Sequence, residues 1–250
     1  LERAGAPRRA YFLTHAEGEG AALPAVLFCG GYRSDMAGTK ALFLEEQCRS
    51  RGQAFLRFDY RAHGCSDGAF MDGTISRWKD DAAAMLDLLA PRPVVIVGSS
   101  MGGWIALLLA RAHPAEIAGI VGVAAAPDFT KELEDEKLTP AQRADMNGRG
   151  YIEEPNAYDP QPYIFTRALR EDARAHFLLD KITELPMKIR LIQGMRDADV
   201  PWQTAHRIRA AIAGDVEVFL VEEGDHRLSR PQDLALIGRE VAALSGLGSG

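Results

Sequence analysis

Apolar positions along this chain fall into short unbroken runs separated by stretches of helical periodicity. Val94-Val95-Ile96-Val97 is the clearest run. Four apolar, mostly β-branched residues in succession predict a strand buried on both faces. Ala25–Cys29 reads as another buried strand, and Ala54–Phe58, Ile117–Val123, Ile189–Gln193 and Val216–Leu220 read as further strands, with Arg9–Thr14 as a weaker first strand and Glu17–Ala22 as a turn. Helical patterns lie between them. Ala41–Ser50 sets Leu42, Phe43 and Leu44 against the polar Glu45, Glu46 and Arg49. Trp78–Leu89 is amphipathic, with Asp80, Asp81 and Asp87 predicted outward. Ile105–Arg111 is apolar, and Asp233–Leu244 closes the series. Strands alternating with helices predict an α/β domain: a mostly parallel central sheet with helices on both faces. Ligands of such sheets bind beyond the carboxyl ends of the strands. The loops that follow strands are therefore where chemistry is expected.

One segment interrupts the alternation. Pro127–Thr183 shows no clear strand. It carries a charged helix pattern over Thr130–Lys137 and another over Ala141–Asn147. A stretch with Pro155, Tyr158, Pro160, Pro162 and Tyr163 follows, and then a helix predicted over Tyr163–Leu178. This is too long for a plain loop. It reads as a helical cap (127–183) inserted into a single domain whose core is 1–126 and 184–244. The alternative is a surface subdomain that never meets substrate. The charge run from Lys131 to Lys137 reads as a solvated face.

The loop after the clearest strand carries Gly98-Ser99-Ser100-Met101-Gly102. Gly-x-Ser-x-Gly between a strand and a helix is the context of a nucleophile elbow, with Ser100 at the tip. Gly98 and Gly102 are read as places where turning strand and helix pass too close for a side chain. Ser99 is a rival by proximity alone and reads as a locally packed residue.

A serine hydroxyl is a weak nucleophile at neutral pH and needs a histidine base oriented by a carboxylate. In the elbow architecture these follow in the order Ser, Asp or Glu, His. Of six histidines, His15, His63 and His113 precede or crowd Ser100, and His176 and His206 fall in predicted helices. His226 follows the last strand, within Glu222-Glu223-Gly224-Asp225-His226-Arg227, where the base belongs. The loop after the preceding strand, Gly194-Met195-Arg196-Asp197-Ala198-Asp199-Val200-Pro201, supplies the acid. Asp197 is preferred and Asp199 is its rival. Asp225 reads as a turn residue, because adjacent side chains diverge. Two backbone N–H donors complete the requirement: Met101, after the nucleophile, and Tyr32, in the loop Gly30-Gly31-Tyr32. The Tyr32 ring reads equally as a pocket wall or as a packed side chain.

Composition narrows the class. The chain has 250 residues, 47% hydrophobic and 26% charged, with net charge −6. That is enough for one large domain, and no basic run marks a nucleic-acid surface. No apolar run is long enough to span a membrane. Cys29, Cys48 and Cys65 lack metal-site spacing and read as small buried hydrophobes. The expected location is cytoplasmic, or an organelle matrix if a targeting segment has been removed, an alternative that a sequence opening on Leu1 rather than Met leaves open. The end, 245–250, reads as a flexible tail or an appended sequence.

Taken together, Gly98–Gly102, Asp59-Tyr60-Arg61-Ala62-His63-Gly64, Gly194–Pro201 and Gly224-Asp225-His226 resemble the α/β-hydrolase superfamily. Gly31-Tyr32-Arg33-Ser34-Asp35-Met36-Ala37-Gly38-Thr39-Lys40-Ala41 and Gln193–Trp202 are more telling. They resemble the subfamily of mitochondrial acyl-protein thioesterases that also hydrolyse acyl glucuronides, and its bacterial relatives. Matching stretches run from about Leu23 to Arg227. The resemblance implies an α/β-hydrolase fold, a Ser100–Asp197–His226 triad, and ester or thioester hydrolysis without cofactor or metal. His63, in the turn after the second strand, reads as a satisfied loop histidine. Many superfamily members carry His-Gly at the oxyanion loop where this chain has Gly30-Gly31. The expected activity is hydrolysis of a small-molecule acyl ester or thioester through an acyl-Ser100 intermediate. A peptidase or amidase on the same fold, and a non-catalytic hydrolase-fold binding protein, are the alternatives. Haloalkane chemistry would call for Asp at position 100.

Overall fold

The computed structural model describes residues 8–156 and 160–248; Leu1, Tyr158, Ser249 and Gly250 lie outside the described residues. The strands, in chain order, are β1 (Tyr11–Thr14), β2 (Ala25–Cys29), β3 (Phe55–Phe58), β4 (Val94–Ser99), β5 (Ile117–Val123), β6 (Tyr151–Glu154), β7 (Tyr163–Thr166), β8 (Thr183–Glu184), β9 (Lys188–Gly194), β10 (Ile212–Ala213) and β11 (Val216–Val221). The α-helices are α1 (Thr39–Ser50), α2 (Ile75–Leu89), α3 (Met101–Ala112), α4 (Pro140–Gly148), α5 (Arg167–Ala173), α6 (Gln203–Ala211) and α7 (Pro231–Leu244).

Seven strands form the main sheet in the order β1-β3-β2-β4-β5-β9-β11. β1 pairs antiparallel with β3, and the other pairings in this sheet are parallel. The apolar runs are central strands because both their faces are covered. Ala25, Leu27, Val94 and Ile96 pack into one core with Trp78 of α2 and Trp104 of α3. The alternate residues Val26, Phe28, Val95 and Val97 pack into a second core with Leu44 of α1 and Ile237 of α7. The two-residue period of a strand thus feeds two separate helix layers. Strands β2, β4, β9 and β11 all end on the same edge of the sheet, and the loops leaving them converge there. Among the described residues no helix is long and apolar enough to cross a membrane.

The segment 127–183 departs from expectation. It is not purely helical: β6 and β7 form an antiparallel hairpin, with Tyr151 opposite Thr166 and Glu154 opposite Tyr163. The predicted helix Tyr163–Leu178 is therefore strand β7 followed by the short α5 and a 3-10 turn. The charged stretch Thr130–Lys137 contributes only a 3-10 turn over Phe129–Leu133. Leu133, Leu138, Met146 and Ile152 give this segment a small core of its own.

Three further expectations are corrected. Asp81 faces inward with no exposed side-chain surface, because Arg9, just before β1, and Arg61, in the turn after β3, both reach it. Cys65 is exposed, unlike Cys29 and Cys48. Ser245, expected in a flexible tail, is buried; its hydroxyl accepts from Gln53 Nε2 (2.8 Å) and donates to the Val241 carbonyl (2.8 Å).

Candidate active site

Ser100 stands at the end of β4 with φ 53° and ψ −119°, a region that non-glycine residues avoid at a cost of roughly 1–3 kcal/mol. Backbone bonds over-determine it. Its N–H donates to the Val123 carbonyl (2.9 Å), and its own carbonyl accepts from Gly103 (2.9 Å) and Ala126 (3.1 Å). Packing explains the flanking glycines. A Cβ on Gly98 would lie 2.4 Å from the Gly102 carbonyl oxygen, and one on Gly102 would lie 2.1 Å from that of Cys29. Strand and helix meet backbone to backbone, and the serine is thrust outward between them. Ser99 is buried, 8% exposed, and Ser100 is more open.

Asp197 and His226 come from the loops after β9 and β11. Gly194 lets these loops touch, since a Cβ there would lie 2.3 Å from the Gly224 carbonyl oxygen. Asp197 Oδ2 accepts from His226 Nδ1 at 2.9 Å, and the Asp197 side chain has no exposed surface. A carboxylate only accepts, so Nδ1 carries the proton and Nε2 presents its lone pair. Asp197 Oδ1 accepts the N–H groups of Asp199 (2.9 Å) and Val200 (2.8 Å), while Gln193 Nε2 donates to Oδ2 (2.8 Å). Burial by itself would raise the Asp197 carboxyl. The His226 bond and charge and the two amides outweigh it and hold the group below its usual range. Asp199 gives its backbone N–H to Asp197, and its carboxylate lies within 4.8 Å of a His226 ring nitrogen. Asp225 is exposed and accepts from the Leu228 amide (2.9 Å), a turn role.

Among the described residues, Asp197, Asp199 and His226 also have the spacing of a cation site. Both Asp197 oxygens are already taken by four donors. That donor set suits a fixed carboxylate holding an imidazole rather than a metal ligand.

Ser100, His226, Met101 and Tyr32 line one cleft of about 830 Å³, in the range that holds small-molecule ligands. The Met101 amide is the first of α3, where no intrahelical carbonyl precedes it. Neither it nor the Tyr32 amide has an acceptor among the described residues. The Tyr32 ring sits edge-on to Phe70, Trp78 and Phe129 and stacks on Phe165. Its hydroxyl donates to the Ile164 carbonyl of β7, and burial pushes that hydroxyl up. The ring is both packed and part of the cleft wall.

Sequence reasoning passed over two contributors. Gln193 is a polar residue at the end of β9, next to the turn glycine Gly194, and that position was the available signal. Lys40 lines the cleft, and its Nζ donates to the Arg227 carbonyl (2.5 Å), next to His226. Burial and the Arg227 charge push its ammonium down to about 8, against Asp225 and Asp233.

The family model for the alpha/beta hydrolase family matches residues 26–235. The chain belongs to that family. It is 35% identical over 217 residues to the mouse palmitoyl-protein thioesterase ABHD10, mitochondrial, covering 86% of this chain and 72% of that protein. The solved structure of mouse alpha/beta hydrolase domain-containing protein 10 superposes with a TM-score of 0.88 at 32% identity, over 98% of this chain and 96% of that one. The crystal structure of an Agrobacterium vitis S4 protein superposes with a TM-score of 0.92 at 42% identity, with the same coverage of each chain, 98% and 96%. The predicted α/β-hydrolase fold and the resemblance drawn from the motifs both stand.

Proposed function

We propose that this hydrolase-family chain cleaves carboxylic thioesters and esters through an acyl-Ser100 intermediate. The observation that carries this reading is the part-buried Asp197–His226 bond of 2.9 Å, with His226 and the strained Ser100 on one cleft. His226 Nε2 takes the hydroxyl proton as Ser100 Oγ bonds to the acyl carbon. The negative oxygen of the tetrahedral intermediate accepts from the Tyr32 and Met101 amides. Collapse breaks the carbon–sulfur or carbon–oxygen bond, and His226 returns the proton to the leaving thiolate or alkoxide. Water, deprotonated by His226, then releases the acid. No step calls for a cofactor.

The acyl group would lie along Tyr32, Phe129, Tyr163 and Phe165, which line the same cleft. Three of these four belong to segment 127–183, so this segment acts as the cover over a core of 1–126 and 184–244. An organelle-matrix location, matching the mitochondrial relative, goes with this reading.

The test is a panel of acyl thioesters, nitrophenyl esters and peptide amides against wild type and Ser100→Ala. Thioesters and esters should turn over, amides should not, and Ser100→Ala should lose on the order of a thousandfold or more. A fluorophosphonate should label Ser100. Labelling of Ser99, or full activity in Ser100→Ala, overturns the assignment.

A further inference from the structure

The turn after β2 places the proposed oxyanion donor, and it is an unusual turn for its sequence. The Ser34 amide donates to the Gly31 carbonyl (3.2 Å), and Ser34 Oγ donates to the same oxygen (2.8 Å). Gly31–Ser34 is therefore a hydrogen-bonded four-residue turn with Tyr32 and Arg33 at its centre. Arg33 has φ 57°, while Tyr32 is not among the positive-φ residues. A positive φ at the third position alone marks the turn in which the middle peptide is flipped, and glycine or asparagine normally sits there. Arginine has no such freedom, so something must hold that peptide over.

His63 does. Its ring is buried, 3% exposed, between Tyr60, Phe70 and Trp78. Nδ1 lies 3.1 Å from the Arg61 carbonyl oxygen, which can only accept, so Nδ1 carries the proton. Nε2 then has a lone pair, and it accepts the Arg33 N–H at 3.2 Å. This N–H belongs to the flipped peptide. The neighbouring peptide, which carries the Tyr32 N–H, is held at its other end by Ser34. Two successive peptide planes are thus pinned, one by Ser34 and one by His63, and the Tyr32 amide between them is left without an acceptor.

We propose that His63 is a positioning residue for catalysis: by accepting the Arg33 N–H it holds the flipped middle peptide of the Gly31–Ser34 turn and so aims the Tyr32 amide at the oxyanion. This rests on the reading of Ser100 and Tyr32 given above. It makes His63 part of the reaction through Tyr32, beyond its role in packing.

The test compares His63→Phe, which keeps a ring among the aromatic neighbours but has no acceptor, with His63→Gln, whose amide oxygen stands near the place of Nε2. His63→Phe should lose ten- to a hundredfold in kcat with KM changed by no more than about threefold, less than deleting an oxyanion donor outright. His63→Gln should recover most of that loss. Should His63→Phe fail to fold, His63→Asn serves: its oxygen falls short of Arg33, and its kcat should drop while His63→Gln stays near wild type. A turn-specific readout is the cycle with Arg33→Gly. Glycine takes the positive φ unaided, so the His63→Phe loss should shrink severalfold in that background. Equal kcat in His63→Phe and wild type, a loss confined to KM, no recovery by His63→Gln, or an unchanged loss beside Arg33→Gly each overturns the proposal. Ser100→Ala run alongside separates the two claims. Its inactivity with an unaffected His63→Phe refutes only the positioning role, and its activity refutes the triad reading itself.

Discussion

Asp128 accepts the backbone N–H of Leu178 at 2.9 Å, across fifty positions of sequence, and that of Leu179 at 2.9 Å. The two ends of segment 127–183 are fastened together at one buried carboxylate, beside Phe129 in the cleft wall. Asp128 has a positive φ of 60°, which Asp and Asn tolerate better than most residues. Asp128→Ala would leave two amides without their acceptor, at a cost on the order of 2–4 kcal/mol. Thermal unfolding should show that loss, and hydrolysis of long acyl thioesters should fall further than that of an acetyl ester. Asp128→Asn should recover about half. An unchanged melting temperature in Asp128→Ala would show that the ends are held elsewhere.

Asp197 and Asp199 lie two residues apart and should respond differently to the same chemistry. Asp197→Asn puts an amide where a doubly loaded acceptor stood and favours the wrong tautomer of His226. A kcat loss on the order of 10⁴ follows, with folding retained. Asp199 contributes its backbone N–H to Asp197, and Asp199→Asn keeps that group, so its kcat should stay within about threefold. Steady-state kinetics of the two variants decide the matter, and the reverse ranking would reassign the acid.

The central sheet was legible because β2, β4 and β5 are almost unbroken apolar runs and the flanking strands are short apolar-rich ones, a signal that needs no partner to be read. That Ser100, Asp197, His226, Met101 and Tyr32 would come together at one end of the sheet was legible for a related reason: each lies just beyond the carboxyl end of a strand. The hairpin of Tyr151–Glu154 and Tyr163–Thr166 was not. Four-residue strands are too short for periodicity to separate from a helix, and the aromatic spacing of Tyr163 and Phe165 fitted either. Asp81 was misread because its charge says outward, while its partners Arg9 and Arg61 come from distant sequence. The tie between His63 and Arg33 is likewise a contact across thirty positions that local pattern does not encode.

Two glycines of the site should separate folding from function. A Cβ on Gly102 would meet the carbonyl oxygens of Cys29 at 2.1 Å and Gly30 at 2.6 Å, both fixed backbone. Gly102→Ala should be destabilised by roughly 3 kcal/mol or more, or fail to accumulate. A Cβ on Gly31 would stand 3.4 Å from the Ser100 Cβ, an ordinary contact. Gly31→Ala should fold within about 1 kcal/mol of wild type, yet crowd the nucleophile and lower kcat/KM for bulky acyl groups first. Urea unfolding beside kinetics on short and long esters checks the contrast. A stable, active Gly102→Ala would mean that the elbow is less tightly packed than it stands here.

Acid should weaken the fold through His63. Burial pushes its imidazole down to about 4, with the nearby Arg33 charge adding to it and the Arg61 carbonyl and Asp81 opposing. In the unfolded chain a histidine titrates near its ordinary value of about 6.5. Between those two values the unfolded chain takes up a proton that the folded chain refuses. The stability that neutral His63 contributes is therefore present above about pH 6.5 and is lost as pH falls toward about 4, to a total of roughly 3 kcal/mol. Other groups titrate over the same window, so the decisive measurement is a difference. Urea unfolding of wild type and His63→Gln at about pH 7, 5.5 and 4.5 should give curves that converge on acidification, because glutamine takes up no proton. Parallel curves would show that the folded protein binds the His63 proton as readily as the unfolded chain does, so that burial does not hold the imidazole neutral in this window.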